Sequence, residues 1–282
     1  MAAMIWEPVL DNSGVIDMGY SQVAGYRLPG GDYVLIDSGL QEEPALISAV
    51  QAEGRRVRAV ICTHLHIDHV ANNYLLHKTF GTEIFASVPV IEEALRTGRQ
   101  LAPEGCPPPP MTPYEAEDGE LTIDGTVFPV LSTPGHCEGH MAVVTPDGLC
   151  CLGDCVLTAD KAWSLKLPYL EDVDRSLETM ERFRSSPWPL YQLSHKGVLR
   201  QEEMGAAIDA NIEKELYLQR LLRQLMDHPM SYEELYAVFF PHERIRDMPP
   251  HQHWLRKTLN HRIDALVKCG DAILHDGLIV PN

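Results

Sequence analysis

Basic residues are scarce in this chain. Its 23 Lys and Arg stand against 40 Asp and Glu, which gives a formal net charge of −17 over 282 residues. A surface with such an excess of negative charge repels phosphate backbones, so the composition argues against a nucleic-acid partner. Apolar runs are short as well: none reaches the roughly 18 residues of a membrane span. Residues 1–9 also lack the basic flank and long apolar stretch of a signal peptide, and we expect a cytoplasmic protein.

Two kinds of motif are also missing. No G-x-S-x-G segment occurs, so no serine nucleophile of that type is expected. No C-x-x-C pair occurs either, and the cysteines are odd in number, which argues against a disulfide framework. Most of them lie in apolar strand contexts, so we expect reduced, buried thiols; a thiol beside a metal, at Cys137 or Cys155, is the alternative. The seven are Cys62, Cys106, Cys137, Cys150, Cys151, Cys155 and Cys269.

The most informative segment is H-L-H-I-D-H at residues 64–69. It follows an apolar run, residues 57–62, that reads as a strand. Imidazole nitrogens and carboxylate oxygens are ligands for zinc and similar divalent metals. A chain leaving a strand can direct His64 and His66 toward one point and Asp68 and His69 toward a second. The spacing therefore indicates two metals, with a chance cluster of surface histidines as the alternative.

Three further segments repeat a pattern of short apolar strand, tight turn and one ligand-type side chain. Parallel strands of an α/β fold bring such turns to one edge of the sheet. The strands are predicted at 128–132, 149–152 and 190–194, and the side chains that follow them are His136, Asp154 and His195.

These motifs resemble those of metallo-β-lactamase-fold hydrolases of the glyoxalase II type. The matching segments are V-L-I-D-S-G around Asp37, the segment 64–69, T-P-G-H, G-D and S-H-K-G, and they cover roughly residues 30–197 in the family's order. The resemblance implies an αββα sandwich, of mixed α+β/α/β class. We assign it to residues 1–199 as the catalytic domain.

The same resemblance implies a role for each motif residue. One metal would be held by His64, His66 and His136, and the second by Asp68, His69 and His195, with Asp154 bridging both. Zinc is the expected metal, and iron and manganese stay open. Asp68 and Asp154 are the candidate catalytic groups, because they can orient the nucleophile and pass on its proton. Asp37 is expected to orient a ligand, with a plain turn carboxylate as the alternative, and His140 to support the site without binding metal.

Two positions depart from the family pattern. The first motif continues with Val70-Ala71-Asn72-Asn73, where many relatives have small glycines that let substrate approach. Asp154 stands where many true β-lactamases have a cysteine, so cleavage of lactam antibiotics is not expected.

After residue 199 the pattern becomes helical. Apolar spacing predicts a long helix over 201–227, a second opened by the capping box at Ser231 and a third over 254–269. Asp276-Gly277 predicts a type I′ hairpin turn after them. Helix, helix, helix and hairpin is the order of a winged-helix module, so residues 200–282 are predicted as a winged-helix-like region. The third helix also carries Arg256, Lys257, Arg262 and Lys268.

The expected function is hydrolysis at a dinuclear metal site. A water bridging two metals would supply hydroxide near pH 7 and attack a small ester-like molecule, an acyl thioester first and a lactone next. Tyr169, Trp163 and Lys166 are candidates for contact with that substrate. The proline-rich segment 101–120 is predicted to be irregular, either overhanging the site or forming a plain surface loop. The alternative function is a metal-dependent ribonuclease, or a nucleic-acid-binding protein that acts through the C-terminal helices.

Overall fold

A computed structural model describes residues 6–40, 44–98, 101–195, 197–248 and 251–282. The chain forms two compact units. The first contains the described parts of residues 1–133, 138–156 and 186–204, and the second contains those of 134–137, 157–185 and 205–282.

The first unit contains two β-sheets. The seven-stranded sheet runs in sequence order, antiparallel from β1 to β4 and parallel from β4 to β7. Its strands are β1 (Glu7–Pro8), β2 (Ser13–Asp17), β3 (Gln22–Arg27), β4 (Tyr33–Ile36), β5 (Val57–Ile61), β6 (Glu83–Ser87) and β7 (Met111–Tyr114). The helices between its parallel strands are α1 (Pro44–Ala52), α2 (Ile67–Val70), α3 (Asn73–Phe80) and α4 (Val88–Thr97).

The six-stranded sheet has the order β13-β12-β11-β10-β9-β8, and only β11 and β12 pair in parallel. Its strands are β8 (Gly119–Ile123), β9 (Thr126–Ser132), β10 (Met141–Val144), β11 (Leu149–Cys151), β12 (Leu190–Gln192) and β13 (Val198–Arg200). Both sheets contribute to one apolar core, in which the ring of Tyr26 on β3 meets Phe128 on β9 edge-on at 5.6 Å. This is the two-sheet core predicted from the family resemblance.

Strand direction places the ligand motifs. Four of five residues in β5 are buried, as expected for a parallel strand covered on both faces. Because β4 and β5 are parallel, Asp37 and the segment 64–69 leave the sheet at the same edge. The parallel pairing of β11 with β12 does the same for Asp154 and His195 in the other sheet.

The prediction for residues 101–120 is wrong in part. Met111–Tyr114 forms β7, and β8 begins at Gly119. The prolines argued against regular structure, but Pro113 lies in a strand at the outer edge of its sheet, paired on one side only with β6. An edge strand has a free side, so a residue without an N–H is tolerated there.

The second unit is largely helical. Its elements are α5 (Ala159–Ser164), α6 (Val173–Arg184), α7 (Gln201–Leu225, whose first turn belongs to the first unit), α8 (Tyr232–His242), α9 (Gln252–Lys268) and the hairpin of β14 (Ala272–His275) and β15 (Leu278–Pro281). The predicted capping box at Ser231 is confirmed, with both reciprocal hydrogen bonds to Glu234. The hairpin turn is confirmed too, since Asp276 and Gly277 both have positive φ, at 50° and 79°. Among the described helices, none is both long and apolar enough to cross a bilayer.

Candidate metal centre

The backbone after β5 explains why six residues serve two separate groups. His66 has an extended conformation, with φ −68° and ψ 149°, and it is the residue before α2. His64 and His66 therefore leave an extended segment two residues apart. Asp68 and His69 follow inside the first turn of α2, where the chain direction has changed. This short segment therefore directs His64 and His66 toward one ligand group and Asp68 and His69 toward the other.

The first group consists of His64, His66 and His136, whose ligand atoms lie within 4.8 Å of one another. His64 Nε2 and His66 Nδ1 face each other at 2.9 Å. His64 is fully buried and His136 is 5% exposed, so their ring nitrogens have little access to bulk water. Three converging imidazoles form a donor set that suits zinc and related divalent metals.

The second group consists of Asp68, His69, Asp154 and His195, again within 4.8 Å. Asp154 contacts both imidazoles: its Oδ1 lies 3.3 Å from His69 Nε2 and its Oδ2 lies 3.2 Å from His195 Nε2. Asp68 Oδ2 is 3.7 Å from each of the same nitrogens. His69 Nε2 is buried and makes no hydrogen bond to any residue that the structure describes. Two carboxylates and two imidazoles around one point fit a divalent cation.

Hydrogen bonds on the far side of three imidazoles set their orientation. His69 Nδ1 donates to Asp37 Oδ2 at 2.8 Å, and His136 Nδ1 donates to the carbonyl of Tyr169 at 3.1 Å. His195 Nδ1 lies 3.4 Å from the carbonyl of Tyr20. A proton held on Nδ1 leaves the lone pair of Nε2 directed at the ligand group, which is the tautomer that metal binding requires.

Asp37 supports ligands of both groups. Its carboxylate accepts from the Thr63 amide at 2.8 Å and from the Thr63 hydroxyl at 2.9 Å, in addition to His69. The Thr63 hydroxyl in turn lies 3.0 Å from His64 Nδ1. Asp37 has a φ of 63°, in the left-handed region that aspartate tolerates better than most side chains. This left-handed turn brings the carboxylate into direct contact with His69 and links it to His64 through the Thr63 hydroxyl.

His140 supports Asp154 and lies outside both ligand groups in the structure. Its Nε2 accepts from the Asp154 amide at 3.1 Å, and its Nδ1 lies 2.7 Å from the Thr133 hydroxyl. The contact also requires a glycine before Asp154, because a Cβ on Gly153 would lie 2.6 Å from His140 Nε2. His140 therefore fixes the backbone that carries Asp154.

Electrostatics in the second group favour positive charge. Burial opposes a charge on His69, but Asp154, Asp37 and Asp68 outweigh it and raise its pKa well above 6.5. Burial also opposes a charge on His195, whose pKa is raised mainly by Asp154. For Asp154, burial acts to raise the pKa, and the neighbouring imidazoles lower it well below 3.8. Either protons or cations must neutralise these buried carboxylates, and a divalent metal meets that demand.

The predicted substrate contacts lie in different places within the second unit. Tyr169 meets the His136 ring edge-on at 5.4 Å, so it borders the first ligand group. Trp163 is 43% exposed and contacts Tyr217 and Lys214 of α7. Lys166 lies near the same lysine: the pKa of Lys214 is lowered, first by burial and also by the charge of Lys166. Trp163 and Lys166 therefore belong to the surroundings of Lys214.

Sequence reasoning missed Tyr20. It lies in the turn between β2 and β3, its ring meets His195 edge-on at 4.9 Å, and it is 47% exposed. Burial, Asp68 and Asp154 raise the pKa of its phenol, so the hydroxyl stays protonated near neutral pH. Nothing in the local sequence M-G-Y-S marks this tyrosine, because its position depends on how β2 and β3 lie beside β12.

Each basic residue that was singled out on α9 contacts a carboxylate within the second unit. Arg256 contacts Glu233 and Asp247, Lys257 contacts Glu171, and Lys268 contacts Asp174; Arg262 is fully buried against Glu215. The carboxylates in these pairs neutralise the positive charges on α9 that had suggested a nucleic-acid-binding surface.

Two facing sheets with two groups of histidine and aspartate ligands on their connecting loops define a metal-binding sandwich. The chain belongs to the metallo-beta-lactamase superfamily, whose family model matches residues 19–195. This confirms the resemblance drawn from the sequence motifs.

Curated relatives cover part of the chain. A "Beta-lactamase-like protein 2 homolog" of Drosophila melanogaster is 27% identical over 54% of this chain and 51% of its own length. A hydroxyacylglutathione hydrolase of Acidiphilium cryptum is 28% identical over 44% of this chain and 45% of its own. Another, "Hydroxyacylglutathione hydrolase GloC" of Haemophilus influenzae, is 31% identical over 39% of this chain and 54% of its own length. The chain thus spans about half the length of these relatives.

Two solved structures share the fold over nearly the whole chain. A metallo-beta-lactamase family protein of Thermus thermophilus has a TM-score of 0.72 at 18% identity, and covers 98% of this chain and 100% of its own. A beta-lactamase domain protein of Burkholderia ambifaria has a TM-score of 0.72 at 17% identity, and the match covers 98% of this chain and 93% of that protein. At such low identity the likeness concerns the fold alone.

Proposed function

We propose that the protein is a dinuclear metal-dependent hydrolase of small ester-like molecules, with acyl thioesters as the first substrate class and lactones as the second. The observation that carries this proposal is the presence of two neighbouring ligand groups, one of three imidazoles and one of two imidazoles with two carboxylates. The two hydroxyacylglutathione hydrolases described above support the choice of thioester, since they share 28% and 31% identity with this chain over their matched parts.

His64, His66 and His136 would hold one metal, and Asp68, His69, Asp154 and His195 would hold the other. Bound divalent metals there would acidify water and polarise an acyl group. Zinc suits this donor set, and iron or manganese would also be accepted.

The two carboxylates of the second group differ in access to solvent. The Asp68 side chain is 18% exposed, while that of Asp154 is 8% exposed and contacts both imidazoles. Asp154 would therefore act as a ligand of the metal and, with Asp68, help to orient the nucleophile. Asp68 is the carboxylate that can orient a water molecule and release a proton to solvent.

No observation on the described residues favours the alternative of nucleic-acid binding through α9. The cations of that helix are neutralised by neighbouring carboxylates. The proposed partner is accordingly a small molecule. The proposal includes a cytoplasmic location, supported by seven free cysteines, and cell fractionation tests it.

The function is tested with protein reconstituted separately with zinc, iron or manganese and assayed on a panel of thioesters, lactones, phosphodiesters and lactams. Turnover of thioesters or lactones is expected. His66→Ala and Asp154→Ala should abolish it while the circular dichroism spectrum is retained. His228→Ala is the matched control, because this histidine is 63% exposed and pairs with its neighbour Asp227 at the surface. Turnover confined to phosphodiesters, or His66→Ala as active as wild type, would overturn the proposal.

A further inference from the structure

The loop that carries His136 is held by the segment around residue 170 and by α6. The carbonyl of Gly135 accepts from the amides of Glu171 and Asp172 at 2.9 and 3.0 Å. The hydroxyl of Thr179 donates to the carbonyl of Pro134 at 2.7 Å. Together with the bond from His136 Nδ1 to the Tyr169 carbonyl, these contacts fix the imidazole from behind.

The residues on either side of Tyr169 are held by α9. Pro168, Tyr169 and Leu170 form neither helix nor strand, so local backbone bonds do not fix them. The Leu170 amide donates to the hydroxyl of Thr258 at 2.9 Å. Arg262 Nη2 donates to the carbonyl of Pro168 at 2.9 Å. The Tyr169 carbonyl, which accepts the hydrogen bond from His136 Nδ1, therefore belongs to a residue whose two neighbours are anchored.

Arg262 is itself placed by hydrogen bonds to two residues, Glu215 and Thr258. It is fully buried, its Nε and Nη2 donate to Glu215 Oε2 at 3.0 and 2.8 Å, and its Nη1 donates to the Thr258 hydroxyl at 2.8 Å. A buried ion pair contributes little net stability, because desolvation offsets the attraction between the charges. The planar guanidinium group instead fixes the positions of Thr258 and Pro168, because it donates hydrogen bonds to both residues at once.

We propose that Thr258 and Arg262 are positioning residues for the metal ligand His136, and that α9 thereby tunes the affinity of the first ligand group for its metal. The path runs from Glu215 through Arg262 and Thr258 to the backbone of residues 168–170, and then to His136. This inference rests on the metal site of the proposed function.

The test compares Thr258→Val with Thr258→Ser in the full-length protein. Valine keeps the shape but removes the hydroxyl, which leaves the Leu170 amide without its acceptor. Serine keeps the hydroxyl. Cobalt(II) is the probe: its affinity for each ligand group is measured by competition with a chelator, and its visible absorption spectrum reports the geometry of the ligands. Partners behind a metal ligand typically contribute 10- to 100-fold in affinity, and Thr258 acts one step further away.

Thr258→Val should weaken cobalt binding at the first group about fivefold and alter its visible spectrum. Thr258→Ser should lie within about twofold of wild type, and the second group should change little in either variant. Thr82→Val is the matched control, since that hydroxyl is also buried and bonded to two backbone carbonyls, far along the chain from His136. It should lower the melting temperature without changing cobalt binding.

A Thr258→Val variant with a lower melting temperature but wild-type cobalt affinity and spectrum would overturn the inference. So would equal losses in the valine and serine variants. If Thr258→Val does not fold, Arg262→Lys tests the same path, because a lysine cannot hold Glu215, Thr258 and Pro168 at once; it should weaken cobalt binding at the first group, and wild-type affinity would overturn the inference. Failure of the wild type to bind cobalt at all would instead refute the proposed function.

Discussion

Replacing Asp37 with asparagine separates a ligand-orienting role from a simple turn role. The carboxylate receives three hydrogen bonds, from the Thr63 amide, the Thr63 hydroxyl and His69 Nδ1. Both of its oxygens must act as acceptors. An asparagine side chain of the same shape has one acceptor oxygen, so in either orientation its NH₂ group faces a donor. When the NH₂ group faces His69 Nδ1, the two donors no longer oppose each other if the His69 proton moves from Nδ1 to Nε2. A proton on Nε2 would block the nitrogen that faces the ligand group.

The size of the effect follows from the bond that is lost. A hydrogen bond to a charged group contributes about 1.5–3 kcal/mol, and each 1.4 kcal/mol is a factor of ten in an equilibrium constant. Asp37→Asn should therefore weaken metal binding by the second ligand group roughly 10- to 100-fold. A smaller loss is expected in the first group, because Thr63 also supports His64.

Chelator competition on metal-free protein measures this affinity, with circular dichroism as a check on folding. Asp124→Asn is the control: Asp124 also has a positive φ, of 49°, but it lies in the turn between β8 and β9 and pairs with Arg58. That variant should bind metal as the wild type does. If Asp37→Asn also binds both metals with wild-type affinity, Asp37 is only a turn residue and the reasoning fails.

Three other predictions follow from the structure. Gly135→Ala would place a Cβ 2.4 Å from the α6 backbone at a φ of 129°, so the free energy of unfolding, measured in urea, should fall by about 3 kcal/mol. Gly125 has open space around it, so Gly125→Ala should lower the free energy of unfolding by about 1 kcal/mol. Equal decreases in the two variants would refute the clash. Tyr20→Leu removes the edge contact on His195 and should weaken the second metal about two- to tenfold, while Tyr20→Phe should not. Burial lowers the pKa of His261 below 6.5, so the free energy of unfolding should fall as pH drops below about 6.5. His261→Gln should reduce that fall, and an unchanged pH profile would contradict the assignment.

Local patterns in the sequence were sufficient for several elements and for the division of residues 64–69 into two groups, whereas the ligand roles of His136, Asp154 and His195 came from the family resemblance. The apolar run before His64 predicted β5, and the alternation of ligand types in 64–69 predicted two groups, because both depend on residues adjacent in the chain. The Ser231 capping box and the Asp276-Gly277 turn were predictable for the same reason.

Contacts between distant residues outside the family's motifs were not predictable. Arg262 looked like one of several surface cations on α9, and its burial depends on Glu215, 47 positions earlier. Tyr20 meets His195 across 175 positions. Pro113 misled because proline argues against a strand, and only the order of the strands shows that β7 lies at an edge.

Metal content tests the central claim most directly. Protein purified without chelators, reconstituted and freed of excess metal should contain two divalent ions per chain by mass spectrometry of the elements. His195→Ala should hold about one, because it removes a ligand of the second group only. A wild-type chain that retains at most one ion, with no further loss in His195→Ala, would contradict the two-metal account.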